Sequence, residues 1–545
     1  MDEIKVVNIS SPFIDQKPGT SGLRKSTVRF QEDHYLEIFI ESILRSFDQI
    51  ESSTIVLGGD GRYGNDRAIR KIIQICAAHD VGKIIVPTCG LLSTPAASNL
   101  IRINNALAGI ILSASHNPGG INGDFGVKVN ISNGGPASES VTNKIYKISQ
   151  SLVKYKFFHS EIPDLKNIGS YSINNMKLEI IDGVHDYVSL MENIFDLDQI
   201  GDFIKKDFSM IFDAMNAITG PYAKKIFIDK IGLSEDCLMN GIPLMDFGKL
   251  HPDPNLTYAN QLADLLLNKK SYSFGAACDG DGDRNMILGK GCFINPSDSL
   301  AVLTANTNLV PGYKDGIEGV ARSMPTSSAV DYVANKLNIP CYETPTGWKF
   351  FGNLLDSNKI SICGEESFGT GSSHVREKDG LWAILFWLQI LAVKKSSVSE
   401  LINNHWNTFG RNYYTRHDYE AISSSTADQI YCNLKQLLPK LLGKQFAGSH
   451  VKQADNYSYN DPIDHSISEN QGLRLILENN SRIILRLSGT GTKGATLRLY
   501  FEKFTETKNN LNLNPQIALK DLINGIDNLL DISMLTKMDR PTVIT

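Results

Sequence analysis

An α/β fold divided among several domains is what this sequence predicts, and three observations carry the prediction. The chain has 545 residues, too many for one hydrophobic core and enough for roughly three or four domains of ordinary size. Short apolar runs alternate with amphipathic stretches along most of its length, the pattern of parallel or mixed sheets flanked by helices. Near the C-terminus two alternating strands lie close together, which predicts an antiparallel sheet there.

The elements follow in order. Residues 54–58 read as a strand, the stretch around Arg67 to His79 as a helix, and residues 83–86 as the next strand. Apolar residues 107–112, 273–278 and 360–363 read as buried strands, each running into a polar, glycine-containing loop. Residues 381–393 form the longest apolar run, only 13 residues and interrupted by Gln389. That is too short to cross a bilayer and reads as a buried helix. A last domain begins after about Phe409-Gly410-Arg411, with strands at 473–477 and 483–487. No internal repeat or low-complexity linker interrupts the pattern.

Composition narrows the function. A net charge of −5 argues against a general polyanion binder, so anion affinity must come from local cations. The eight cysteines show no C-x-x-C spacing, and several sit in apolar runs, as reduced buried thiols do. Met1-Asp2-Glu3-Ile4-Lys5 lacks the charged-then-apolar pattern of a signal peptide.

Asp279-Gly280-Asp281-Gly282-Asp283-Arg284 carries the most chemistry. Three carboxylates at alternate positions make a compact set of hard oxygen ligands suited to Mg²⁺ or Ca²⁺. An EF-hand has the same opening spacing but needs Gly at position 6 and Glu at position 12, where this chain has Arg284 and Lys290. Ser113-Ala114-Ser115-His116-Asn117-Pro118-Gly119-Gly120 follows the strand at 107–112 and turns sharply, without the G-x-S-x-G elbow of a hydrolase. Serine and histidine side chains adjacent in sequence seldom face each other, so that pairing is weak evidence of chemistry.

Arg486-Leu487-Ser488-Gly489-Thr490-Gly491-Thr492-Lys493-Gly494, with Arg498 on the next strand, offers hydroxyls, exposed N–H groups and guanidinium for an oxyanion. It is not a Walker A loop. Lys17-Pro18-Gly19-Thr20-Ser21-Gly22-Leu23-Arg24-Lys25 has the same character. Gly364-Glu365-Glu366-Ser367-Phe368-Gly369 places paired acceptors and donors where vicinal sugar hydroxyls would meet them; a helix start rich in acid has the same composition. Arg376 and Lys378, close behind, add two cations able to grip a sugar phosphate.

In this order the five segments resemble the α-D-phosphohexomutase superfamily, and within it the eukaryotic-type α-phosphoglucomutase group. The likeness runs from Lys17 to Tyr500 and takes in His251-Pro252-Asp253-Pro254-Asn255 and Thr344-Pro345-Thr346-Gly347-Trp348-Lys349. It implies four domains around a central cleft, at 1–190, 191–304, 305–408 and 409–545. The first three would be mixed α/β sheet domains flanked by helices, the fourth α+β with an antiparallel sheet. Each contributes one loop: serine, metal, sugar and phosphate.

The resemblance also implies the residues. Ser115 would carry a phosphoryl group. Asp279, Asp281 and Asp283 would hold one Mg²⁺, completed by a phosphoserine oxygen of Ser115. Arg284 lies beside that centre. Glu365 and Ser367 would bind sugar hydroxyls, and Thr346 and Gly347 lie on the loop that helps choose sugar orientation. Arg486, Ser488, Gly489, Thr490 and Arg498 would hold the phosphate that is not reacting. Arg24, His116, Lys128 and Lys378 would surround the transferred group, with the proton acceptor among them left open.

The implied activity is reversible interconversion of glucose 1-phosphate and glucose 6-phosphate through glucose 1,6-bisphosphate, in the cytoplasm, by a monomer or weak dimer. Its partners would be small sugar phosphates, with no nucleic acid and no membrane span. A phosphomannomutase, or a non-catalytic relative with a structural or secretory role, is the alternative. A bisphosphate synthase side activity stays open. Two positions depart from the group: Ser113, where Thr is commoner, and Thr492-Lys493, which replaces smaller residues.

Overall fold

A computed structural model describes residues 3–19, 21–206, 208–488, 494–506 and 511–545. Four sheets organise the chain. The first has seven strands in the order Leu23–Ser26, Asp124–Ile131, Ala108–Leu112, Thr54–Gly59, Lys83–Pro87, Met176–Ile181 and Gly169–Ile173. Its central strands are parallel and its edges antiparallel. Between them run the amphipathic helices Asn65–Ala77 and Thr94–Ile103, whose apolar faces are buried, as the spacing predicts.

The second sheet orders Leu238–Met239, Met210–Asp213, Phe274–Cys278, Asn285–Gly289 and Cys292–Ile294. The third orders Cys341–Thr344, Val320–Ser323, Ile362–Glu365 and Gly369–Ser372. Both mix parallel and antiparallel pairs. The fourth is antiparallel throughout, with Leu473–Leu477, Arg482–Ser488, Ala495–Thr505 and Arg411–Ile422 at its centre. The sequence expectation of three mixed α/β domains and a final antiparallel one therefore describes the molecule.

The predicted apolar helix is Gly380–Lys394. Every residue from Gly380 to Ala392 is buried, with Trp382 and Trp387 among the largest wholly enclosed side chains. It lies in one apolar cluster that also takes Val56 and Ile111 from the first sheet, Phe212 and Phe274 from the second, and Ile362 from the third. Among the described residues no single helix is long and apolar enough to cross a membrane. Together with Val398–Phe409, bent away by 85°, this helix passes by length and composition, but here it is a core element.

The fourth sheet packs its own core, including Leu485, Leu499 and Ile526. It meets the third domain through a small aromatic patch of Phe350, Tyr414 and Tyr500 and through ion pairs. Glu343 accepts from Arg322 and from Arg474, each at 2.8 Å. The buried Glu502 accepts from the Ser327 hydroxyl at 2.8 Å and the Ser328 hydroxyl at 2.7 Å.

A serine and carboxylate cleft as candidate active site

The acidic loop is the connection of a hairpin, since Cys278 pairs with Asn285 across the two strands. Its glycines are steric requirements. A Cβ on Gly280 would stand 2.4 Å from the Ser115 carbonyl oxygen, and Gly282 adopts φ +79°. The chain therefore turns tightly enough to bring oxygens of Asp279, Asp281 and Asp283 within 4.8 Å of one another, all buried.

Each carboxylate has partners. Asp279 accepts from the Ser115 hydroxyl at 2.8 Å and from the Arg284 N–H at 3.0 Å. Asp281 accepts from the Thr94 hydroxyl at 2.7 Å and pairs with Lys128. Asp283 pairs with Lys378 at 2.9 Å and with Lys128 at 3.5 Å. One oxygen each of Asp281 and Asp283 is buried with no hydrogen-bond partner. Burial, then the neighbouring Asp283 and Asp281, pushes the Asp279 carboxyl well above its ordinary range. Burial acts the same way on Asp281, but Lys128 outweighs it and holds that group low. Orphaned hard oxygens in an acid cluster fit a divalent cation.

The serine loop is pinned from several sides. Strand Ala108–Leu112 is wholly buried and delivers Ser113, whose hydroxyl accepts from the Ser115 N–H at 2.7 Å. The Arg62 guanidinium, itself paired with Asp60, donates to the Ser115 carbonyl at 2.8 Å. Ser115 adopts φ 52°, a left-handed conformation that costs energy outside glycine and persists where surroundings impose it. That backbone turns neighbouring side chains together. The His116 Nδ1 lies 3.3 Å from the Ser115 hydroxyl, against the expectation that they would diverge. Burial, with Arg284 and Arg24 nearby, pushes His116 well below its ordinary value, which favours the uncharged ring.

Opposite stand the sugar-loop residues. Glu365 ends strand Ile362–Glu365, and its carboxylate accepts from the Gly347 N–H at 2.9 Å. Ser367 occupies the turn into strand Gly369–Ser372, so the acidic residues sit on a hairpin and not at a helix start. The Thr346 hydroxyl is buried without a partner. Arg486 and Arg498 face each other directly across paired strands, which places both on one side of the sheet. Among the described residues Arg486 donates to the Gln471 carbonyl at 3.2 Å and to the Tyr500 hydroxyl at 3.5 Å, and Arg498 pairs with Asp418 at 3.5 Å. Gly489, Thr490, Thr492 and Lys493, with Thr20 near the N-terminus, lie outside the described residues, as does the Ser488 side chain.

One cavity of about 260 Å³ gathers most of the predicted residues: Arg24, Ser115, His116, Lys128, Asp283, Arg284, Thr346, Gly347, Glu365, Ser367, Lys378, Arg486 and Arg498. Asp279 and Asp281 lie beneath Ser115 and Lys128. Arg376 is not brought in. Its guanidinium is turned to Asp356 at 2.6 Å and the Ser373 carbonyl at 2.8 Å, so the expectation of two gripping cations there reduces to Lys378. Sequence reasoning missed Thr94, Asn130 and Glu377, whose partners lie far along the chain.

A buried serine hydroxyl set on a carboxylate triad, with lysines and arginines around one cavity, defines a cleft suited to phosphoryl groups. Models of the phosphoglucomutase/phosphomannomutase α/β/α domains I, II and III match residues 15–156, 185–291 and 296–409. The model of the phosphoglucomutase-1 C-terminal domain matches residues 411–542. The chain is 51% identical over 536 residues to phosphoglucomutase of Rhizobium radiobacter, spanning 98% of this chain and 99% of that one. It is 48% identical over 564 residues to phosphoglucomutase-1 of Oryctolagus cuniculus, spanning 99% and 100%. Its structure is similar to the open form of the exocytosis-sensitive phosphoprotein pp63/parafusin of Paramecium, with TM-score 0.91, 45% identity and 99% of both chains covered. The chain belongs to the phosphoglucomutase/phosphomannomutase family.

Proposed function

We propose that this protein reversibly interconverts glucose 1-phosphate and glucose 6-phosphate, with Ser115 as the residue that carries the phosphoryl group between them. The observation that supports this most directly is the Ser115 hydroxyl 2.8 Å from Asp279, at the edge of a cavity whose far side holds Glu365, Ser367 and two arginines. In the forward direction the 6-hydroxyl of glucose 1-phosphate takes the phosphoryl group from phosphorylated Ser115 and loses its proton to a neighbouring base. Glucose 1,6-bisphosphate is formed, reverses its orientation, and returns its 1-phosphoryl group to Ser115. Glucose 6-phosphate leaves.

Each group of residues has a task in this scheme. Asp279, Asp281 and Asp283, with an oxygen of phosphorylated Ser115, would hold one Mg²⁺, which supplies charge neutralisation at the transferred phosphoryl group. Phosphoryl transfer passes through a loose transition state with charge spread over oxygens, so positioning and cationic surroundings do most of the catalysis. Arg24, Lys128, Arg284 and Lys378 provide those cations, and His116 stands among them as a positioned, uncharged ring. Glu365 and Ser367 bind sugar hydroxyls, with Thr346 and Gly347 shaping the loop beside them. Arg486 and Arg498, together with Ser488, Gly489 and Thr490, hold the phosphate that is not reacting. A site that reads pairs of hydroxyls accepts the sugar in both orientations.

The division 1–190, 191–304, 305–408 and 409–545 is supported by each interval holding one of the four main sheets. All eight cysteines are free thiols, four of them buried, which suits a reducing cytoplasm. We take the working form to be a monomer or weak dimer. The deciding assay is conversion of glucose 1-phosphate to glucose 6-phosphate with Mg²⁺ and a trace of glucose 1,6-bisphosphate, with and without chelator. Rapid chelator-sensitive conversion is expected. Its absence in folded protein phosphorylated on Ser115 would overturn the reading, and faster conversion of mannose 1-phosphate would redirect it.

A further inference from the structure

Strand Asp124–Ile131 alternates its side chains, so Lys128 and Asn130 emerge on one face. Lys128 goes to the carboxylate cluster. Asn130, fully buried, goes elsewhere: its amide N–H₂ donates to Glu377 Oε1 at 2.9 Å and to the Gly134 carbonyl at 2.9 Å. Glu377 is 247 residues away, in the loop of the third domain between strand Gly369–Ser372 and helix Gly380–Lys394. The residue after it is Lys378, whose ammonium pairs with Asp283 at 2.9 Å.

The rest of that loop is held from the same side. The Arg376 N–H donates to the Ser98 hydroxyl at 2.9 Å, so a second first-domain residue grips the backbone beside Glu377. Gly135 lies against Arg376, where a Cβ would stand 3.2 Å from the arginine Cβ. After Lys378, Asp379 caps the buried helix and accepts from Tyr187 at 2.6 Å. Room for the Lys378 stem comes from Gly369, since a Cβ there would stand 2.4 Å from Lys378 Cδ. The Lys378 backbone is thus held on both sides, by the Asn130–Glu377 contact before it and the Tyr187–Asp379 contact after it.

We propose that Glu377 is a positioning residue: through its hydrogen bond from Asn130 it fixes the Lys378 loop on the first domain, in register with Lys128 across Asp283. This rests on the phosphoryl-transfer reading given above. The contact needs an acceptor oxygen and not a charge, because a carboxylate, a neutral carboxyl and a glutamine all present one to the Asn130 amide. Asn130 and Glu377 also line the cavity, but the role proposed is to fix geometry at the reacting group and not to bind the sugar or the distal phosphate. Loss of the contact should therefore lower kcat and spare KM.

The test compares Glu377→Ala, Glu377→Gln, Asn130→Ala and the double alanine variant. Glu377→Ala should lower kcat at least tenfold with KM for glucose 1-phosphate within twofold, and Glu377→Gln should recover to within threefold of wild type. Asn130→Ala should match Glu377→Ala, and the double variant should fall no further than either, because both remove one interaction. Amide hydrogen exchange across residues 373–379 should quicken in both alanine variants and stay near wild type in Glu377→Gln. A Glu377→Gln loss equal to that of Glu377→Ala, or additive losses in the double variant, overturns the proposal, as does exchange unchanged by either alanine. Exchange reads the clamp without turnover, so wild-type protein lacking mutase activity would count against the functional reading alone.

Discussion

Where the first three domains meet, apolar side chains from all of them enter one cluster, whereas the fourth keeps a separate core and touches the third through a small aromatic patch and ion pairs. The two sides of the cleft differ in the same way. On the side built by the first three domains, Lys128 and Lys378 are each tied to carboxylates, and Ser115 is fixed to Asp279. On the fourth domain's side, the contacts of Arg486 and Arg498 among the described residues go to a carbonyl at 3.2 Å, a tyrosine at 3.5 Å and one carboxylate at 3.5 Å. The lysines of one half are already engaged by carboxylates, whereas the arginines of the other are more loosely held among the described residues. The difference separates two tasks, chemistry on a preset centre and retention of a ligand by loosely held cations.

Substitutions should divide along that line. The largest effect belongs to Ser115→Ala, which should reduce kcat by roughly 10⁴-fold or more, the scale of losing a covalent nucleophile, with the melting temperature little changed. A coupled glucose 6-phosphate assay beside a thermal melt measures both, and near-normal turnover would refute the role of Ser115. Next is metal removal. Chelation should suppress turnover by at least about 100-fold, since a metal at a transferred group supplies several kcal/mol. Added Mg²⁺ should restore the rate and raise the melting temperature by mass action. Chelator-resistant turnover would mean the triad serves structure alone.

Effects on the fourth domain's side should fall on KM. Arg486→Ala removes a charged donor worth about 1.5–3 kcal/mol, so KM should rise roughly 10- to 150-fold with a smaller change in kcat. A loss confined to kcat would erase the division between the halves. The smallest effect is reserved for Lys493→Ala, read from sequence alone, which should raise KM about two- to threefold, the scale of one solvent-screened charge interaction. An unchanged KM would remove Lys493 from the phosphate site.

Much of this was legible in residue order because local chemistry set it. The acidic loop announces itself through three alternating carboxylates after an apolar strand, and that strand is Phe274–Cys278. The paired arginines follow from two alternating strands whose register brings residues 486 and 498 face to face. Other features have no local signature. Ser115 and His116 face each other only because the backbone at 115 is left-handed, a state enforced by Ser113 and Arg62. Arg376 looks like Lys378 in sequence, yet Asp356 claims it from 20 residues away. The Asn130–Glu377 clamp joins residues 247 apart, a distance over which no periodicity speaks.

Gly280 marks where the acidic loop and the serine loop touch backbone to backbone, with the space of one methyl group withheld between them. The two loops belong to different domains, but no side chain at 280 is available to absorb a change in either. Their spacing is therefore inherited as a unit. A chain that drifted in one would have to drift in the other at the same step, so the nucleophile and its metal loop keep one shared spacing.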